Sequence, residues 1–451
     1  MHLSYHHGTG LLAAVAKQCG AEVAVYQVHG DLGHPPNAEK CAREISSFHA
    51  DFICISTSSL EWGFAKMLAI KLSKVSNAKI IAGGPHLTFS NAKDGFDLFD
   101  HVVVGEGENV IRDFVHGDLC DAKVIHGKMT KDLDALPFSD RESFEMGKII
   151  TARHGIVDFI TQRGCPYSCS FCSNHALRKM YGVKYLRRRS VGNVIEEIKG
   201  VIDRYQCKMI FFHDDIFTLD KNWVKEFCGR YAREIGMPWS INSHVNHIGN
   251  EIIKFLAQAG CVEIKLGIES GDEDMRNKIL NKQVSNRKIK ERFKALRKAG
   301  LRTFAFIMHG VSGETEASYE KSVRLMAEIK PNVIRSTIFF PLPNTVLGDP
   351  FFRTNGKIDA SMLGDSPASL LNHGAETLSR FYMFGWKINL LLGLKEYGNL
   401  LQKYSGSTNV VELKQSDARI NQNLSLQGRL HYRFGEECSM LKLEDGGKFL
   451  I

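Results

Sequence analysis

The sequence predicts an α/β protein with a doubly wound parallel sheet, then a partial barrel of parallel strands, then a mostly helical C-terminal region. Strand and helix patterns alternate from Gly10 to about Gly117, and a second alternating series follows a linker. The strand patterns stop after Pro343. These breaks divide the sequence into four predicted regions: a first domain at 1–131, a linker at 132–150, a barrel at 151–345 and the helical region at 346–451.

Composition limits the class of protein. The chain has 451 residues, enough for about three domains, and its 43% hydrophobic and 24% charged residues exclude a disordered or fibrous chain. The net charge of +8, without long like-charge runs, suits anionic ligands but does not demand nucleic acid. We expect neither a signal peptide nor a membrane span. Eleven cysteines, mostly isolated, indicate reduced thiols and a cytoplasmic protein.

The first domain is predicted from short apolar strands separated by helices. The predicted helices are Leu11–Gln18 and Glu61–Lys74, and the predicted strands are Glu22–Val28, Asp51–Ser56, Lys79–Ala82 and His101–Val104. Two glycine-rich turns follow strands directly: Gly83-Gly84-Pro85-His86 and Gly105-Glu106-Gly107-Glu108. Ligands of open α/β sheets bind at such strand ends, although plain tight turns explain the pattern equally well.

The barrel is predicted from about five or six strand and helix units over about 190 residues, fewer than the eight units of a closed barrel. Its predicted strands are Val157–Gln162, Lys208–Phe212, Val262–Ile268, Thr303–Met308 and Val333–Phe340. Its predicted helices start near Asn193 and cover Trp223–Ile235 and Ile252–Ala259. Further helices are expected within Ser369–Tyr404, and the segment from Asp417 carries no motif.

Three cysteines lie close together after the first barrel strand. Cys165, Cys169 and Cys172 form a Cys-x3-Cys-x2-Cys run. Three thiolates can hold a four-iron cluster that keeps one iron open for an outside ligand. His175 would complete a zinc site of three cysteines and one histidine, but structural zinc usually joins small modules. The position at a strand end of a large β/α domain therefore favours catalysis.

This run, with the aromatic Phe171 before the third cysteine, resembles the hallmark of the radical S-adenosylmethionine (SAM) enzymes. The resemblance implies a partial (β/α)6 barrel whose three cysteines bind a [4Fe-4S] cluster. SAM would chelate the fourth iron and be cleaved by an electron from the cluster to a 5′-deoxyadenosyl radical, which abstracts hydrogen from a substrate.

Further strand ends match this family in order. Asp214 and Asp215 follow the second strand, and helix N-capping is their alternative role. Gly267-Ile268-Glu269-Ser270-Gly271 resembles the family's Gly-(Ile/Val)-Glu-Ser-Gly. Gly310-Val311-Ser312-Gly313-Glu314-Thr315 resembles Gly-x-Pro-Gly-Glu-Thr, with Ser312 in place of proline. The SAM-binding residues implied by the resemblance are Phe171, Asp214, Asp215, Glu269, Ser270, Gly310 and Gly313.

Two residues depart from the family pattern near the expected substrate end. His244 stands where relatives often carry arginine, and Asn344 stands where they carry glycine. These departures leave the substrate open.

The first domain resembles that of the cobalamin-binding class of these enzymes. The resemblance implies cobalamin contacts at Ser58, Leu60, Gly83, Gly84, Pro85, His86, Gly105, Glu106 and Gly107. The Asp-x-His-x-x-Gly fingerprint of a histidine-bound cobalt is absent. Few residues precede Gly8, so we expect a shortened first strand, and we expect His6 and His7 to be solvated.

The resemblance implies cobalamin-dependent methylation of an unactivated carbon of a small-molecule or natural-product substrate. The alternatives are a cyclase, oxidase or rearrangement enzyme that transfers no methyl group and, from another class, a zinc-stapled binding protein. The expected partners are a small-molecule substrate and a reducing donor such as flavodoxin or ferredoxin. Nucleic acid is not expected, because Arg187-Arg188-Arg189, the densest basic spot, is interpreted as a solvated turn.

Overall fold

A computed structural model describes residues 3–90, 95–118, 121–182, 185–311, 313–349, 441–442 and 449–450. The described residues divide into two compact units. The first unit comprises Leu3–His213 and 341–349, and the second comprises Asp214–Phe340 with 441–442 and 449–450. The helices predicted within Ser369–Tyr404 lie outside the described residues. In the part of the chain that the structure describes, no helix is long and apolar enough to cross a membrane.

The first unit contains a four-stranded parallel sheet in the order β1-β2-β3-β4. Its strands are β1 (Phe52–Ser56), β2 (Lys79–Gly83), β3 (His101–Gly105) and β4 (Val124–Gly127). The accompanying helices are α1 (His7–Gln18), α2 (Ala38–Ser46), α3 (Trp62–Leu72), α4 (Pro85–Phe89) and α5 (Glu108–His116). Consecutive residues of one strand point to opposite faces of the sheet, and Ile80 and Ile81 belong to different apolar clusters. Both faces of the sheet are therefore packed, which confirms the doubly wound prediction.

The strand predicted at Glu22–Val28 is wrong, because this segment is irregular and has no place in the β1-β2-β3-β4 sheet. Its side chains make the tertiary contacts instead. Gln27 Nε2 donates to the Ser4 carbonyl at 2.8 Å, and the Tyr26 hydroxyl donates to Glu44. An apolar run alone therefore does not make a strand, because no neighbouring strand pairs with this segment to complete a backbone ladder in the described sheet.

The remainder of the first unit carries the cysteines. Its elements are α6 (Met146–Ala152), β5 (Ile156–Phe159), β6 (Gln162–Arg163), α7 (Asn174–Tyr181), β7 (Arg187–Arg188), α8 (Val191–Arg204) and β8 (Met209–Phe212). Strands β5 and β8 pair in parallel, whereas β6 and β7 form a short antiparallel ribbon. The strand predicted at Val157–Gln162 is therefore two strands with different partners.

The second unit contains four neighbouring parallel strands, β9 (Trp239–Ser243), β10 (Cys261–Glu269), β11 (Arg302–His309) and β12 (Val333–Ile338). Its helices are α9 (Lys221–Glu234), α10 (Asn250–Gln258), α11 (Asn286–Lys298) and α12 (Glu316–Ile329). Asp220 and Ser285 cap α9 and α11 by accepting backbone N–H bonds, which explains where these helices begin. A two-residue antiparallel pair, β13 (Leu441–Lys442) with β14 (Phe449–Leu450), completes the described strands.

Candidate functional site

The three clustered cysteines occupy the loop between β6 and α7. Cys169 is buried, Cys165 and Cys172 are half-buried, and none of them is joined in a disulfide. The loop begins at Gly164, whose φ of +101° is open mainly to glycine. A Cβ atom there would lie 2.9 Å from the Tyr185 ring, so the glycine also permits this close approach.

Arg178 of α7 holds the first half of the cysteine loop. Its Nη1 donates to the Pro166 carbonyl at 2.6 Å, and its Nη2 donates to Ser168 Oγ at 3.1 Å. A planar guanidinium can make two such bonds from one fixed geometry. The Ser170 carbonyl accepts the Leu347 backbone N–H at 3.0 Å. The second half of the cysteine loop is therefore bonded to another segment of the first unit.

A hydrogen bond reaches one of the cysteine sulfurs directly. Asn174 Nδ2 donates to Cys172 Sγ at 3.7 Å, and the Tyr185 hydroxyl donates to Asn174 Oδ1 at 2.5 Å. The tyrosine thereby orients the amide so that its N–H faces sulfur. A hydrogen bond to a ligating sulfur is one of the means by which a protein tunes an iron–sulfur cluster.

The donor chemistry fits a [4Fe-4S] cluster better than a zinc ion. A tetrahedral zinc site needs its ligands around a single point. In a four-iron cluster each cysteine binds a different iron, so three free cysteines in one loop match a cluster whose fourth iron is open to an outside ligand.

Glu269, predicted to accept hydrogen bonds from SAM, ends β10 with φ at +66°. Its Oε1 accepts from Lys282 Nζ at 3.1 Å, and both side chains are largely buried. Next to it, Ser270 is buried, and its Oγ accepts the Asp272 backbone N–H at 3.2 Å. Lys282 was missed by the sequence analysis because no motif marks a lysine thirteen residues beyond the strand end.

Gly310 and Gly313 follow β11 and have φ of +76° and +84°. The Gly310 N–H donates to Glu314 Oε2 at 2.6 Å, and Glu314 Oε1 lies 3.3 Å from His309 Nδ1. The Glu314 side chain thus holds the loop that follows β11. A Cβ atom at Gly313 would have no neighbour within 4 Å. Ser312, where the family has proline, lies outside the described residues.

Asp214 and Asp215 follow β8, the former buried and the latter exposed. The cap of α9 is Asp220, whose Oδ1 accepts the N–H groups of Asn222 and Trp223 at 2.9 and 3.1 Å. Asp220, and neither Asp214 nor Asp215, therefore caps α9. Phe171, predicted to lie near SAM, is half-buried in the cysteine loop.

The first glycine turn, after β2, packs closely on the end of β1. Gly84 has φ of +101°, and a Cβ there would lie 2.8 Å from the backbone nitrogen and oxygen of Thr57. His86 stacks on Trp62 at 4.8 Å, and its Nδ1 lies 3.1 Å from Ser59 Oγ. Glycine is therefore required here for backbone contact.

The other residues near this turn that were predicted to contact cobalamin have small or apolar side chains and lie at the strand ends. Ser58 is half-buried and its N–H donates to Glu61 Oε2 at 3.0 Å, while Leu60 is 37% exposed. Gly83 ends β2, and Pro85 begins α4. A large, partly apolar ligand fits such an edge of short side chains.

The second glycine turn, after β3, carries a carboxylate with several partners. Gly107 precedes α5, and Gly105 has φ of +94°. Glu106 is ion-paired with Arg163 and Arg187, and its Oε2 also accepts the Thr130 N–H at 2.9 Å. Burial alone would raise the pKa of Glu106, but the hydrogen bond from Arg187 and the charge of Arg163 lower it overall.

Two expectations about basic residues are wrong. Arg187 is buried and Arg189 is ion-paired with Glu197, so the Arg187-Arg188-Arg189 triplet is not a solvated turn. His6 is exposed as expected, but His7 Nε2 is buried without a hydrogen-bond partner, and burial lowers the pKa of His7.

The structure gives physical reasons for the two departures from the family pattern. Asn344 has φ of +57°, a left-handed conformation that glycine and asparagine tolerate best. His244 is buried at the end of β9, and burial together with the nearby Lys282 charge lowers its pKa to about 2. His244 is therefore a neutral imidazole where arginine would carry a charge.

The predicted residues fall into two groups. The cysteine loop with Phe171 and both glycine turns lie in the first unit. The second unit holds the other predicted SAM residues at or just after strand ends, namely Asp214, Asp215, Glu269, Ser270, Gly310 and Gly313.

Comparison with protein families finds two matching models. Residues 159–326 match the model of the radical SAM superfamily, and residues 4–115 match that of the B12 binding domain. The first match contains the cysteine loop, and the second contains both glycine turns.

Comparison with individual proteins finds distant relatives. An uncharacterized methyltransferase of Pyrococcus horikoshii is 27% identical over 329 residues, covering 68% of this chain and 70% of that protein. The anaerobic magnesium-protoporphyrin IX monomethyl ester cyclase of Cereibacter sphaeroides is 25% identical over 387 residues, covering 77% of this chain and 62% of the cyclase. The structure of the cobalamin-dependent SAM radical enzyme OxsB, with aqua-cobalamin and SAM bound, has a TM-score of 0.66 at 14% identity, covering 94% of this chain and 73% of OxsB. This last likeness shows the fold.

Proposed function

The chain belongs to the radical SAM superfamily and carries a B12-binding domain, and from this premise we propose that it is a cobalamin-dependent methyltransferase. Its target is an unactivated carbon of a small-molecule or natural-product substrate. The observation that carries the proposal is the presence, in one compact unit, of a loop with three undisulfided cysteines and a B12-type sheet with glycine turns at its strand ends.

We propose Cys165, Cys169 and Cys172 as the cluster ligands, because three thiols in one ordered loop match a cluster with one open iron. When bound, the cluster supplies the electron that cleaves SAM, and cobalamin carries a methyl group. This chain's own residues hold those groups. Arg178 fixes the loop, and Asn174 donates an N–H to the Cys172 sulfur.

The strand ends of the second unit are proposed to bind SAM. The Glu269 carboxylate is paired with Lys282, so this edge offers both an acceptor for the N–H of an amino group and a cation for a carboxylate. SAM's amino acid end carries both groups. The glycine turns of the first unit are proposed to contact cobalamin through their backbone and through Ser58, Leu60, Pro85 and His86.

A second candidate is a radical SAM enzyme that forms a ring or oxidises its substrate without methyl transfer. The likeness to the magnesium-protoporphyrin IX monomethyl ester cyclase favours it, since that match covers 77% of this chain. A reducing donor of the flavodoxin or ferredoxin type serves either candidate. Cytoplasmic location is proposed from the thiol content alone.

The test begins with protein purified without oxygen from cells supplied with cobalamin. About four irons and one cobalt per chain are expected. Cys169→Ala should lose iron, whereas Cys207→Ala, a half-buried cysteine outside the loop, should retain it. One zinc without iron would overturn both candidates.

The protein is then incubated with methyl-labelled SAM, a chemical reductant and a small-molecule extract of the source cells. Equal amounts of 5′-deoxyadenosine and S-adenosylhomocysteine, with label in a product, support methyl transfer. Deoxyadenosine without S-adenosylhomocysteine supports the second candidate and contradicts the first.

A further inference from the structure

The cysteine loop and α7 form one excursion of the chain that leaves and returns at the ribbon of β6 and β7. Arg163 of β6 is opposite Arg187 of β7 in the register. Gly164 and Cys165 follow Arg163 directly. The position of this ribbon therefore limits where the cysteines lie.

Both arginines of the ribbon meet the same carboxylate. Arg187 Nη1 and Nη2 donate to Glu106 at 3.0 and 2.5 Å, and Arg163 Nη1 lies 3.0 Å from Glu106 Oε1. Arg163 Nη2 also donates to Glu108. The side chains of Glu106 and Arg187 are only 13% and 7% exposed, so these charges depend on one another.

The far end of the excursion is attached to the same turn. Tyr181, the last residue of α7, accepts the Glu106 N–H at 2.7 Å through its hydroxyl and donates to the Gly127 carbonyl at 3.2 Å. A Cβ at Gly105 would lie 2.0 Å from this hydroxyl. The close approach of the Tyr181 hydroxyl thus explains why residue 105 is glycine, and no ligand is needed for that explanation.

From these contacts we infer that Glu106 is a positioning residue for the cluster. Through Arg163, Arg187 and Tyr181 it fixes both ends of the segment that carries Cys165, Cys169 and Cys172. The B12-type sheet thereby sets the position and electrostatic environment of the cysteine loop. The Glu106 carboxylate therefore positions the cysteine loop, and only the backbone of this turn would contact cobalamin.

The electrostatics agree with this role. Arg163 and Arg187 lie beside the cysteine loop, and both are ion-paired with the carboxylates of the Glu106 turn. Two arginines are therefore balanced by two carboxylates, Glu106 and Glu108. Removal of the Glu106 charge leaves an excess of positive charge there, and positive charge favours the reduced state of a cluster.

The test uses the full-length protein with its cluster and cobalamin. Glu106→Gln keeps the shape and removes the charge, Glu106→Asp keeps the charge, and Glu39→Gln is the control. Glu39 is a surface carboxylate of the same unit, paired with Lys71 at 2.6 Å. Iron content, cluster reduction potential, the electron paramagnetic resonance spectrum with and without SAM, and cobalamin affinity are measured.

For Glu106→Gln we expect full iron, a more positive cluster potential, a several-fold weaker SAM-induced change in the spectrum, and unchanged cobalamin affinity. Glu106→Asp should recover most of the potential, and Glu39→Gln should match the wild type. Wild-type potential and spectrum in Glu106→Gln, or a loss confined to cobalamin affinity, would overturn the inference.

If Glu106→Gln does not fold, Tyr181→Phe decides. It removes one hydroxyl and no charge, and we expect full iron with an altered spectrum, whereas a wild-type spectrum contradicts the inference. The inference rests on cluster binding in the proposed function. Iron content and SAM cleavage of the wild-type protein test that premise separately.

Discussion

The two glycine-rich turns of the first unit follow neighbouring strands but are held by different contacts. Gly83-Gly84-Pro85-His86 is held by backbone contact with Thr57 and by the stacking of His86 on Trp62. Gly105-Glu106-Gly107-Glu108 is held by buried ion pairs with the ribbon beside the cysteine loop. Both turns follow neighbouring parallel strands, so position alone does not decide their roles. The difference shows that one turn depends on shape and the other on charge.

The largest expected effect comes from breaking the charged turn. Arg163→Met should lower the free energy of unfolding by about 3–5 kcal/mol, because it leaves the Glu108 carboxylate buried without its ion-pair partner. Denaturant unfolding of the wild type and variant measures the difference. Arg43→Met is the control, since Arg43 and Glu39 form an exposed ion pair and its loss should change little. Equal stabilities of the Arg163→Met variant and the wild type would show that the second turn does not depend on charge.

A smaller effect is expected from the uncharged turn. Gly84→Ala should cost about 1–3 kcal/mol of unfolding free energy, because φ of +101° strains alanine and its Cβ meets the Thr57 backbone. Gly63→Ala is the control, since Gly63 lies in α3 with open space around it and should be neutral or stabilising. Gly84→Ala removes no charge, so raising the ionic strength should leave its effect on the unfolding free energy unchanged. A strongly salt-dependent Gly84→Ala effect would contradict the proposed distinction.

The smallest expected effect is a difference in pH dependence. The pKa of Glu106 is lowered in the folded protein, so its contribution to stability is complete above the ordinary value of 4.5. That contribution is lost as the pH falls through the lower folded value, because the unfolded chain then binds the proton more readily. Between pH 5 and pH 3, Glu106→Gln should therefore lose less unfolding free energy than the wild type. Parallel curves for the two proteins would show that folding does not lower the pKa of Glu106.

Much of this architecture was predictable from the sequence. The predicted strands Asp51–Ser56, Lys79–Ala82 and His101–Val104 correspond to β1, β2 and β3 within one residue at each end. Their apolar runs, and the glycines that end β2 and β3, are local signals that act within a few residues. The prediction of a strand at Glu22–Val28 failed because a short apolar run does not by itself provide a partner strand.

The sequence by itself determined the chemistry of the site. Three cysteines at x3 and x2 spacing after a strand define a possible cluster loop wherever that loop lies in the fold. Only the tertiary structure decided which side chains support it. Arg163 and Glu108 are 55 residues apart in sequence, and Arg187 and Glu106 are 81 apart. No local pattern pairs such residues, because strand register and packing bring them together, and burial then makes each charge depend on its partner.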